Sequence, residues 1–188
     1  MNILLAGVGG QGVLFVTAVL TEAAVRKGSP LVGAETHGMA QRGGSVVSHL
    51  KLDQEGAAPL IRPGAAHLLL GFDESEGLRC LDYLRQGGRF LVNEGKGKLR
   101  LSVVQGFLEE RRITAKSVPA THLARDMGFP MGANLILLGA AQALDWLPFS
   151  QGEMEKAVRA LSNATVKPLN LKSLRCGWKT VSSPSWRG

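Results

Sequence analysis

The chain has 188 residues, 45% of them hydrophobic and 20% charged, with two cysteines and a formal net charge of +7. That length suits one domain with enough chain to bury a good core. The two cysteines, Cys80 and Cys176, cannot supply a four-thiolate iron–sulfur site, no Cys/His set is spaced for zinc, and no run reaches the roughly 18 apolar residues of a membrane span.

The elements are read in chain order. Ile3-Leu4-Leu5-Ala6 is a short apolar run of the kind that forms a buried strand. Gly7-Val8-Gly9-Gly10-Gln11-Gly12 follows, with Gly7, Gly9 and Gly12 at the G-x-G-x-x-G spacing, and Val13 to Arg26 reads as a helix without Gly or Pro. Glycine at these places permits positive φ and close backbone approach, and the helix start offers free N–H groups to an anion. This is the order of a dinucleotide-binding fingerprint. Glu35 closes the next apolar run, Leu31 to Ala34, and stands where a ribose-binding acid belongs. A tight strand-to-helix turn without a ligand is the bland alternative.

Glu35-Thr36-His37-Gly38-Met39-Ala40-Gln41-Arg42-Gly43-Gly44 is unlike an ordinary second Rossmann strand. It sets His37, Gln41 and Arg42 among glycines, on a loop between two strand-like runs. Arg42 before Gly43-Gly44 is a donor fork suited to a phosphate, a carboxylate or an acidic side chain of a partner. Ser45 to Leu52 reads as a strand with one wetter face, carrying Val47, His49 and Lys51.

Ala66 to Phe72 is another buried strand. Asp73 with Glu76 fits a capping box, so a helix is expected from Glu74 to Gln86, stopped by Gly87-Gly88, with Arg89 to Asn93 as the next strand. Strand–helix–strand order argues for parallel strands. A turn at Gly95 to Gly97, a strand at Ile113 to Val118 and a helical stretch from Pro119 to Met127 follow. Met131 to Trp146 is a long helix, apolar nearly all round and therefore buried, in this subunit or against another. Asn134, near its start, suits a ligand or interface contact, or a bond to local backbone. Ser150 and Glu153 cap a last helix to Leu161. Asn163 to Gly188 lacks periodicity and reads as an irregular basic tail. The expected fold is α/β and three-layered, a Rossmann-like mostly parallel sheet with helices on both faces, formed by residues 1–162.

The two glycine loops together resemble the gamma-type subunit of 2-oxoacid:ferredoxin oxidoreductases. The Thr36-to-Gly44 wording is most similar to the small subunit of the indolepyruvate type, and the resemblance spans roughly Met1 to Leu161. It implies an accessory subunit of a complex that oxidatively decarboxylates arylpyruvates to acyl-CoA and reduces ferredoxin. Thiamine diphosphate, magnesium and [4Fe–4S] clusters would then sit on a large alpha subunit, with coenzyme A on or near it. Gly7, Gly9, Gly10, Gln11, Gly12, Gln41, Arg42, Gly43 and Gly44 would be the cofactor-binding set. His37 is a candidate for steadying a ring proton or a 2-oxoacid carboxylate, with a partner or backbone contact as its other role. The chain would bind no metal and be silent when isolated. A free-standing NAD- or nucleotide-binding protein and an adenylating enzyme are the other readings. The first lacks a catalytic pair, the second a catalytic-cysteine context and C-x-x-C pairs.

Seven basic and no acidic residues follow Glu155, so residues 1–155 balance at 15 of each sign. Such a tail suits an acidic partner surface, with Trp178 and Trp186 as anchors. A solvated terminus and nucleic acid are the alternatives, the last without any accompanying motif. Few cysteines and no basic leader point to the cytoplasm. Self-association of the isolated chain would follow if the apolar helix were exposed.

Overall fold

A computed structural model describes residues 1–38, 43–54, 56, 58–94 and 101–182, apart from the side chains of residues 37 and 101–103. Among these, six strands form one sheet: β1 (Asn2–Val8), β2 (Leu31–His37), β3 (Ser45–Leu52), β4 (Ala66–Gly71), β5 (Leu84–Asn93) and β6 (Thr114–Val118). The spatial order is β2-β3-β1-β4-β5-β6. β1, β4, β5 and β6 are parallel neighbours, whereas β3 runs antiparallel between β1 and β2. The expected three-layer α/β sheet is present, with one reversed strand in it.

The central strands are apolar on both faces because both are covered. Ile3, Leu5, Leu68, Leu70 and Leu91 face one core, whereas Leu4, Ala6, Leu69, Phe90 and Val92 face the other. The first core is closed by α1 (Val13–Arg26), α4 (Ala120–Asp126), α5 (Ala133–Ala143), α6 (Gln151–Leu161) and α7 (Lys167–Ser182). The second is closed by α2 (Glu74–Arg79), a 3₁₀ turn at Leu81–Tyr83 and α3 (Leu101–Glu110).

Four differences from the sequence reading have physical causes. The helix begun by Asp73 stops at Arg79, and β5 already starts at Leu84. Gly87 takes φ +69° and donates its N–H to the Arg111 carbonyl, so the Gly87-Gly88 pair bends a strand instead of ending a helix. The long apolar helix shrinks to Ala133–Ala143, preceded by a 3₁₀ turn at Pro130–Gly132. α3 was not foreseen, since Val103, Val104 and Gly106 weaken its helical signal.

The fourth difference is the largest. The supposed irregular tail contains α7, whose Leu171, Leu174, Trp178 and Val181 are buried in the first core. Its periodicity is hidden by glycine and polar residues on the buried side. Gly177 lies against the Ile136 carbonyl, Gly139 of α5 against the Leu174 carbonyl, and Gly132 against the Ser173 hydroxyl. Two helices in backbone contact need glycine there, not large apolar residues. α7 therefore covers α5 within the subunit, and Trp178 is a core residue and not a surface anchor. Trp186 and the Gly95–Gly97 turn lie outside the described residues. No described helix is long and apolar enough to cross a membrane.

Candidate functional site

The chain leaves β1 toward β2 on one side of the sheet and leaves β4 toward β5 on the other. A crevice opens where two parallel neighbours send their connections apart, outside their carboxyl ends. The Gly7–Gly12 loop forms its wall after β1. Gln11 closes this loop: its N–H donates to the Val8 carbonyl (3.1 Å) and its Oε1 accepts from the Val8 N–H (2.8 Å). A Cβ on Gly7 would press on Val13, Phe72 and the Gln11 amide, which accounts for the first glycine.

The other two glycines of the spacing face parts of the same chain. The Gly9 N–H donates to the Gly44 carbonyl at 2.9 Å, and the Gly43-Gly44 backbone occupies the space beside it. Gly12 is the N-cap of α1 at φ 79°, and the position a Cβ would take is filled by the Asn134 carboxamide. Asn134 takes the local-backbone role and adds a bond across the fold. Its Oδ1 accepts from the Leu135 N–H (2.7 Å), and its Nδ2 donates to the Gly12 carbonyl (3.4 Å) across 122 residues of sequence.

Two connected cavities of about 670 and about 580 Å³ fill the crevice and share Gln11, Phe72, Asn93 and Thr121. These are ordinary sizes for small-molecule sites. The larger has a rim that includes His122 and the charged Glu74, Glu94 and Arg125. The smaller is lined by Phe15, Phe129, Met131 and Val166 with the amides of Asn134 and Asn170, and by no charged side chain. Asn93, at the end of β5, holds this wall together. Its Nδ2 donates to the Phe72 carbonyl and the Thr121 hydroxyl, and its Oδ1 accepts from the Thr121 N–H. Phe15, Phe72, Asn93 and Thr121 were not singled out from sequence. The available signal was position: Asn93 and Phe72 sit at or just past the carboxyl ends of parallel strands.

Of the sequence candidates, Gly7, Gly9, Gly10, Gln11, Gly12, Gly43 and Gly44 are brought together, and Gly10, Gln11 and Gly12 line the crevice. Gln41 and Arg42 lie outside the described residues. The His37 backbone ends β2 opposite Val46, which in turn pairs with Gly7. Glu35 pairs with Ser48, two residues short of the end of β2. With β3 inserted, it stands two strand spacings from β1, about 9.5 Å, and not on the strand beside the glycine loop. That removes it from the ribose-binding position. Asp73 caps α2, accepting from the Ser75 and Glu76 N–H groups.

The other histidines and Cys80 are held by the fold. The expected wet face of β3 is covered: His49 is 4% exposed, its Nδ1 accepts from the Ile61 N–H (3.1 Å), and Tyr83 meets its ring edge-on. Burial, with Lys51 nearby, lowers its pKa and keeps it neutral. His67 accepts from the Asn2 N–H and is lowered by burial and by Arg85. His122 is held at the surface by Asp126 (3.0 Å). Burial, then Asp82 and Glu76, push the Cys80 thiol up to about 11. Among the described residues no three His, Cys, Asp or Glu side chains cluster as metal ligands.

The family model for pyruvate ferredoxin/flavodoxin oxidoreductase matches residues 2–180, into α7 and past the Leu161 limit read from sequence. The chain is 32% identical to the indolepyruvate oxidoreductase subunit IorB of Archaeoglobus fulgidus, covering 97% of this chain and 96% of that one. It is 29% identical to the same subunit of Methanothermobacter thermautotrophicus, covering 94% and 95%. Its fold is similar to the keto/oxoacid ferredoxin oxidoreductase gamma subunit of Geobacter sulfurreducens, with TM-score 0.73, 24% identity and coverage of 96% and 98%.

Proposed function

The chain belongs to the pyruvate ferredoxin/flavodoxin oxidoreductase family and is the small subunit of a 2-oxoacid:ferredoxin oxidoreductase; we propose that the complex takes indolepyruvate and other arylpyruvates. In this reading the complex converts the 2-oxoacid and coenzyme A to an acyl-CoA and CO2, with two electrons passed to ferredoxin. Thiamine diphosphate, on the large partner subunit, supplies the centre that stabilises the carbanion of decarboxylation. The clusters belong there too. A [4Fe–4S] cluster needs four thiolates, and this chain has two cysteines, one of them a buried thiol pushed up to about 11.

One observation carries the choice of an accessory subunit over a free-standing dinucleotide enzyme: the Gly9 N–H is bonded to Gly44 of the same chain. In a dinucleotide fold the second glycine admits the pyrophosphate. Here that space holds the second glycine loop, so the fingerprint's close approach joins two loops of one subunit. The β2–β3 hairpin is thereby fixed at the crevice mouth, and Gln41 and Arg42, in the sequence between its strands, are kept as contacts to the partner or to an anionic substrate group.

The crevice itself supports contact with coenzyme A at the subunit boundary. Gly10, Gln11 and Gly12 are the members of the cofactor-binding set that line it. The Gln11 Nε2 and one Asn134 N–H have no partner among the described residues, and the Thr121 hydroxyl is free to donate. These neutral donors, beside an apolar wall, suit carbonyl oxygens of an uncharged arm. His37 is kept as a candidate for steadying a ring proton or a 2-oxoacid carboxylate, with a partner or backbone contact as its other role.

Anaerobic co-expression with the large thiamine- and cluster-binding subunit, followed by viologen reduction with indolepyruvate and coenzyme A, tests the proposal. The isolated chain should be inactive and the complex active, with arylpyruvates preferred over pyruvate. Tight NAD binding by a chain that neither assembles nor supports viologen reduction would sink it.

A further inference from the structure

The charge that distinguishes the end of the sequence is gathered on one rigid face. Lys172, Arg175 and Lys179 are exposed on α7 at positions i, i+3 and i+7, and Lys156 and Arg159 are exposed on the adjacent α6. Glu155 lies between the helices, bonded to Arg175 (2.7 Å) and Arg159 (3.4 Å), and these partners lower its pKa. It stitches the two rows into one patch and is the last acidic residue of the chain. Glu153 is turned into the Ser150 capping box at the far end of α6.

Lys172 and Lys179 have no acidic partner among the described residues, whereas Lys156 faces Glu153 and helps to lower its pKa. Like charges so spaced repel. The helix beneath is not free to move away, because backbone contact with α5 holds it. At one end of the patch Asn170 bonds Ser162 (2.9 Å), and the residues beside that pair, Leu161 and Leu169, are 39% and 37% exposed. Cations around exposed leucines make a polar rim with apolar anchors.

We propose that the α6–α7 face is the docking surface for an acidic face of the large partner subunit, with Lys156, Lys172 and Lys179 steering the encounter and Leu161 and Leu169 seated in the contact. The inference rests on the functional reading above, which supplies a partner protein. A protein surface is favoured over nucleic acid because Trp178, the aromatic residue within the patch's own helix, is buried and unavailable to stack on a base.

The test measures association of the full-length chain with the purified large subunit from low salt to about 1 M, where exposed charges are screened within about 3 Å. The chain carrying Lys156→Glu, Lys172→Glu and Lys179→Glu together should associate about tenfold more slowly at low salt, with a flattened salt dependence and little change in dissociation rate. The matching lysine-to-arginine chain should behave as wild type, and equal melting temperatures exclude misfolding. Wild-type association rates in the glutamate variant would overturn the inference and leave the functional reading standing. So would a loss confined to retention on duplex DNA or RNA. Failure of the wild-type chain to assemble at any salt would end both.

Discussion

Two sets of glycines serve the same physical purpose, and only one of them is visible in the sequence. Gly7, Gly9 and Gly12 announce themselves by spacing after a strand. Gly132, Gly139 and Gly177 are scattered at helix ends and middles, where glycine ordinarily weakens a helix by about 1 kcal/mol. Both sets allow backbone to come close to something. In α5 and α7 it is the other helix, through the Leu174 and Ile136 carbonyls. In the loop it is Val13 and Phe72 at Gly7 and the Asn134 carboxamide at Gly12, whereas Gly9 meets Gly44 at ordinary contact distance. Glycine spacing therefore reports close approach; what approaches must be read from the fold. The comparison can be broken or sharpened by giving each glycine a methyl group.

The largest effect should come from Gly177→Ala. Its Cβ would overlap the Ile136 carbonyl and stand 2.8 Å from the Ala140 N, backbone that cannot rotate aside. Overpacking of this kind costs about 3 kcal/mol, well above the roughly 1 kcal/mol gained in helix propensity. Chemical denaturation reads the difference. A stabilised variant would mean that the helices are not in backbone contact. Gly12→Ala comes next, at about 2 kcal/mol, from its left-handed φ of 79° and the Asn134 carboxamide. Asn134→Ala should recover part of this when combined with Gly12→Ala, giving a coupling of about 1 kcal/mol in a double-mutant cycle. Strict additivity would show that the carboxamide is not what fills the space.

The same contrast explains what the sequence disclosed. The strands β1, β4 and β6 and the helices α1, α4 and α6 were legible because their neighbours are met by side chains, so apolar period and capping residues carry the information. Asp73 and Ser150 are such signals, and both cap as expected. α7 was illegible because its packing rests on Gly177, Ser173 and Asn170, which read as loop residues. The insertion of β3 was illegible because strand order depends on pairing partners far along the chain; it moved Glu35 away from the crevice. His49 was read as wet because the segment that buries it, around Ile61, has no periodicity of its own. In the site, the glycine loop was legible from spacing, whereas Asn93 and Thr121 became visible only once β5 and α4 were set side by side.

Two smaller effects complete the series. Gly106→Ala in α3 should stabilise by about 0.5–1 kcal/mol, since nothing stands within 4 Å of the added methyl and a mid-helix glycine is relieved. A loss at Gly106 would mean that α3 packs against another body. Gly9→Ala should change stability by less than about 0.5 kcal/mol. The added Cβ would meet Gly43 and Gly44 at 3.7 Å, ordinary contact distance, and the N–H to Gly44 remains. This smallest effect discriminates most. If Gly9 exists to admit a pyrophosphate, alanine there must block the ligand while leaving the fold intact. If it exists to seat the second glycine loop, alanine should be accepted and the assembled complex should keep its KM for coenzyme A. Melting temperature and that KM, measured on the same variant, decide between them. An unchanged melting temperature with a KM raised tenfold or more would place the phosphates at Gly9, with the Gly44 bond giving way when coenzyme A binds.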